Sequence, residues 1–157
     1  MSQCLLVILA FTLLQAISQA SNCSYSVVYL PLDERFTTRD AFLNLFKITP
    51  WCLRTPEPSL LSSWKTPANL EKLDKWIESA AFGASSMILS AEMYLYGGLI
   101  ASRISNDSTS AIQSRLKRLW SLSKRNPDVT ILLSNVVMRI PSYNGDFEEP
   151  WYWADYG

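Results

Sequence analysis

Three short, mainly apolar runs each end on polar groups. Val27-Val-Tyr-Leu-Pro-Leu32 leads into Asp33, Glu34 and Arg35. Met87-Ile-Leu89 leads into Glu92, Tyr94, Tyr96 and the pair Gly97-Gly98, and Arg103 closes that stretch. Val129-Thr-Ile-Leu-Leu133 leads into Asn135 and Arg139. Short apolar runs rich in β-branched residues and bounded by turn residues predict buried strands. Between them the period becomes helical. Ala41, Phe42, Leu45 and Phe46 predict a helix over 39–47 capped by Thr38. Thr66-Pro67 predicts the start of a second helix. Leu70, Leu73, Ile77 and Ala80 carry it to Phe82, where Gly83 ends it. A third helix follows the capping loop Asn106-Asp-Ser-Thr109 and runs to Lys124, with Ile112, Leu116 and Leu119 as its apolar stripe. The stretch 49–67, rich in Pro, Ser and Trp, predicts a long surface excursion pinned by Trp51, Cys52, Leu53 and Trp64.

Strands alternating with helices imply right-handed crossovers and a parallel sheet, hence an α/β fold. Three strands are few for a doubly wound sheet and far too few for a closed barrel. The tail from Ser142 to Gly157 is acidic and aromatic and ends abruptly. The expectation is the N-terminal part of a larger barrel-like or Rossmann-like fold, truncated at Gly157. Ligands of such folds sit at the carboxyl ends of strands, where all three polar clusters fall.

Composition narrows the chemistry. The 157 residues carry 14 basic and 14 acidic side chains and no histidine. The zero net charge gives no reason to expect a nucleic-acid partner. Without histidine there is no Ser-His-Asp triad and no His-based metal site, so no metal and no cofactor is implied. The first twenty residues contain no charged side chain, and Leu5 to Leu14 is an apolar run too short to span a bilayer comfortably. With small residues at Ser18 and Ala20, this predicts a signal peptide over 1–20, cleavage after Ala20, and a secreted protein over 21–157. No later stretch reads as a membrane span. Export makes a Cys23–Cys52 disulfide plausible, and Asn22 and Asn106 open glycosylation sequons. Nothing in the composition addresses the oligomeric state.

Asp33 and Glu92, each just past a strand, are the acid–base candidates, because paired carboxylates divide proton donor and acceptor roles in glycosidases. Glu34, Arg35, Tyr96, Arg103, Asn135 and Arg139 are ligand-binding candidates, and Gly97-Gly98 would admit a ligand close to the backbone. Each also has an ordinary use as an ion pair, loop cap, packing group or turn.

Three segments together resemble the DUF4127 family of uncharacterised proteins. They are Pro31-Leu-Asp-Glu-Arg35, Tyr96-Gly-Gly-Leu-Ile-Ala-Ser-Arg103, and Met138-Arg-Ile140 followed by Trp153-Ala-Asp-Tyr-Gly157. The resemblance implies a long α/β protein continuing past the last motif and carries no settled activity. Two positions depart from the family pattern: Phe36, where a proline is usual, and Glu92, where an aspartate is usual. The first functional expectation is a secreted hydrolase domain acting on carbohydrate through Asp33 and Glu92. The alternative is a secreted, non-catalytic ligand- or carbohydrate-binding module.

Overall fold

A computed structural model describes residues 24–156. The leader, Asn22 and Cys23 lie outside the described residues. In chain order the elements are β1 (Ser26–Leu30), α1 (Asp40–Phe46), β2 (Cys52–Arg54), a 3₁₀ turn (Pro58–Leu60) and α2 (Leu70–Ala81). Then come β3 (Ser86–Ser90), α3 (Ala91–Tyr96), α4 (Leu99–Ile104), α5 (Thr109–Arg125), β4 (Thr130–Ser134) and α6 (Trp153–Tyr156). The four strands form one parallel sheet in the order β2-β1-β3-β4. The α/β architecture is therefore as the sequence predicts.

The strand missing from the sequence reading is β2. It has only three residues, so it shows no period of its own, and β1 supplies its definition. Cys52 pairs with Ser26 and Arg54 with Val28, and the Cys52 N–H donates to the Tyr25 carbonyl at 2.9 Å. The expected pinning of this excursion is aromatic: Trp51 packs on Tyr25 and Phe46. Two helix starts also differ. Asn69 caps α2 by accepting from the Lys72 N–H, while Thr66 closes a tight bridge with Ser63. Thr38 gives its hydroxyl to Asp33, so α1 starts at Asp40 with no side-chain cap. Ser108 caps α5 from within the expected loop.

The core lies around the two central strands. Val28, Leu30, Met87 and Leu89 are buried and pack with Leu73 and Ile77 of α2 and Met93 of α3. Central strands of a parallel sheet are covered on both faces, which explains their continuous apolar runs. β4 has the same kind of sequence but lies at the end of the sheet, leaving Leu132 and Leu133 exposed. The chain adds β2 on one side of β1 and β3 on the other. A reversal of this kind opens a crevice at the carboxyl ends of the two strands, the usual ligand position in doubly wound sheets.

Candidate functional site

Leu30 of β1 pairs with Leu89 of β3, so the polar residues following both strands reach the same end of the sheet. Asp33 is buried there. Its Oδ2 accepts from Arg35 Nε at 2.8 Å and Nη2 at 2.6 Å, and its Oδ1 accepts from the Arg35 N–H and the Thr38 hydroxyl. Burial pushes the Asp33 carboxyl up, but the bonds from Arg35 and Thr38 and the Arg35 charge outweigh it and hold it below the ordinary range. Glu34 accepts from the Ser62 hydroxyl at 2.6 Å and the Trp64 N–H at 2.9 Å. Glu92 is buried and accepts from the Ser90 hydroxyl at 2.9 Å and the Val136 N–H at 2.7 Å. The structure thus brings three carboxylates to the strand ends. Both oxygens of each are engaged by protein donors, and each carboxylate ties down a loop.

Gly97 and Gly98 adopt φ of +84° and +137°, as a turn between α3 and α4 requires. Protein, rather than open space, occupies the room beside them. A Cβ on Gly97 would lie 2.8 Å from the Ala68 nitrogen, and one on Gly98 would lie 2.7 Å from Ser62 Oγ. Arg103 borders a cleft of about 340 Å³ with Lys65, Asn106 and Trp151, but its charge is already paired. Its guanidinium, nine-tenths buried, bonds Glu149 at 2.6 Å and Glu148 at 3.2 Å. That contact brings the acidic tail back onto α4. Lys65 on Asp146 holds the tail further, and within the tail the Trp153 indole N–H donates to the Tyr143 carbonyl at 2.9 Å.

The returning tail builds a cleft of about 330 Å³ lined by Trp64, Arg139, Tyr143, Phe147 and Glu148. Arg139 is the one sequence candidate in this wall. Trp64, Tyr143, Phe147 and Glu148 carry no local signal that marks them as ligand residues, because only the fold of the tail puts them together. Tyr96 lines a separate cleft of about 400 Å³ beside Pro67 and Asn106. Asn135 is exposed just past β4. Tyr94 is buried away from these clefts, its phenol pushed up by burial and by Asp74, as a packing residue.

In helix α5 the arginines Arg115, Arg118 and Arg125 are paired with Asp107, Asp74 and Glu78. Among the described residues no group of His, Cys, Asp or Glu could hold a metal ion, and no helix is long and apolar enough to cross a membrane.

The sequence matches the family model DUF4127, a protein of unknown function, over residues 27–157. The chain belongs to the DUF4127 family. No curated protein and no solved structure matches it. Two of the segments that carry the DUF4127 resemblance meet through one side chain, Ser62, which bonds Glu34 and abuts Gly98. A third DUF4127 segment contributes Arg139 to the cleft wall. In this DUF4127 chain the shared motifs therefore gather at the carboxyl end of the sheet.

Proposed function

We propose that this protein is a secreted carbohydrate-binding module whose ligand sits in the cleft between Trp64, Arg139, Tyr143, Phe147 and Glu148. The composition of that cleft carries the reading. Aromatic faces pack against the C–H surface of a sugar ring, while a guanidinium and a carboxylate hydrogen-bond its hydroxyls. The volume of about 330 Å³ lies at the small end of ligand pockets. Arg103 engages only Oε2 of Glu148, which leaves Oε1 for a ligand hydroxyl. Calorimetric titration of the purified chain with a panel of neutral oligosaccharides tests this. Binding should weaken at least tenfold in Trp64→Ala and Arg139→Ala and survive Asp33→Asn and Glu92→Gln. Equal binding by Trp64→Ala, or no binding to any panel member, would sink the reading.

A second reading, carbohydrate hydrolysis, draws on the placement of Asp33 and Glu92 past paired strands at the reversal of strand order. In that reading Asp33, held ionised by Arg35 and Thr38, is the base or nucleophile, with Glu92 as the other member of the acid–base pair. Binding is favoured over turnover because the oxygens of both carboxylates are already committed to loop donors. Hydrolysis of an oligosaccharide by the unmutated chain, lost in Asp33→Asn with the fold intact, would reverse that preference.

A further inference from the structure

Lys65, the tail and the end of α4 line a second cleft, of about 340 Å³. Its walls include Asn106, Pro150, Trp151 and Tyr152. Asn106 is exposed, in the loop between α4 and α5, and opens the sequon Asn106-Asp-Ser108. The same residue borders the cleft that contains Tyr96. Trp151 and Tyr152 touch edge to face at 5.9 Å, yet they remain 74% and 47% exposed. Two large aromatic rings left to solvent beside an acceptor asparagine are a surface in want of an amphipathic cover.

We infer that Asn106 carries an N-linked glycan whose innermost N-acetylglucosamine residues lie against Trp151 and Tyr152 and hold the tail onto α4. A pyranose ring presents an apolar C–H face to an indole while its hydroxyls stay in water, so it covers these rings without removing polar groups from solvent. The tether decides the occupant. A sugar attached at the cleft wall has an effective concentration in the millimolar range, so even a weak stacking contact is populated. A free saccharide or a separate protein has no such advantage here. The inference rests on export of the chain and is independent of a ligand in the Trp64 cleft.

The test uses the full chain, with its own N-terminus, secreted from a eukaryotic host. Peptide mapping before and after peptide-N-glycosidase treatment reads the modification. Hydrogen exchange over 143–156 reads the docking, in the glycosylated protein, in the same protein deglycosylated after folding, and in a glycosylated Trp151→Ala/Tyr152→Ala variant. Asn106 should be occupied. Removing the glycan should speed exchange of the tail at least threefold. The double variant should show that faster exchange already, with no further change on deglycosylation. An unmodified Asn106, including through failure of secretion, overturns the inference, as does tail exchange that ignores removal of the glycan.

Discussion

Replacing Arg103 by alanine should release the tail while leaving the sheet folded. The guanidinium is bonded to Glu149 at 2.6 Å and Glu148 at 3.2 Å, and the Glu149 side chain is only 8% exposed. Removing one partner of a buried ion pair costs about 3–5 kcal/mol when the orphaned charge must stay buried. Here the charge has an escape. Glu148 and Glu149 lie on a segment whose other polar ties include Lys65 to Asp146, and Lys65 and Asp146 are partly solvated. The segment can lift and rehydrate both carboxylates, so the loss is capped by what the contact contributes to docking. A charge-assisted hydrogen bond contributes about 1.5–3 kcal/mol. At about 1.4 kcal/mol per factor of ten, amide exchange over 143–153 should rise roughly 10–100-fold. Amides of β1 and β3 should exchange as before, because their pairing does not involve the tail. Exchange followed by mass spectrometry measures both sets of amides in one experiment. In the Arg103→Ala background, Glu149→Gln should cost less than it does alone, with a coupling of about 1–3 kcal/mol. Tail exchange within twofold of the parent would refute the reasoning. An equal acceleration in β1 and β3 would show instead that tail and sheet open as one unit.

Three further outcomes follow from single features. The Asp33 carboxyl is held below its ordinary value in the fold, so its contribution to stability is present above the unfolded pKa and is lost as pH falls through the folded one. Acid denaturation curves below about pH 4 should therefore be shallower for Asp33→Asn than for the parent, and identical curves would remove that role. Gly97→Ala should cost more than Gly83→Ala in chemical denaturation. Both residues have positive φ, at about 1 kcal/mol for an L-residue, but the added methyl meets the Ala68 backbone at 2.8 Å in the first and open space in the second. Equal costs would mean that the loop at Ala68 yields freely. A Cys23–Cys52 bridge is proposed from the sequence. Cys52 opens β2, and the Tyr25 carbonyl accepts its N–H. Non-reducing peptide mapping of the secreted chain should recover the two cysteines in one linked peptide, and separate peptides with free thiols would end that proposal.

The fold class was legible because it depends on local periods. The runs at 27–32, 87–89 and 129–133 lie on β1, β3 and β4, and the helical spacings lie on α1, α2 and α5. β2 was not legible, since a three-residue strand exists only through its neighbour. The sequence predicts Thr38 as a helix cap, since its hydroxyl can accept from a helix N–H, but in the fold that hydroxyl is turned to donate to the buried Asp33 carboxylate and no helix N–H reaches it.

The candidate site divides in the same way. By itself the sequence determined which residues stand at strand ends, because strand position and residue type are local properties. That was enough to place Asp33, Glu34 and Glu92 at one end of a parallel sheet. Only the tertiary structure decided what those residues touch. It engaged the oxygens of all three carboxylates with loop donors, filled the space beside Gly97 and Gly98 with backbone and Ser62, and turned Arg103 toward Glu148 and Glu149. It also assembled the aromatic cleft from Trp64 and a tail some eighty residues later in the chain. A hydrogen bond or a cleft wall is a relation between distant segments, set by packing and by the need to satisfy buried charge, and no period along the chain encodes it.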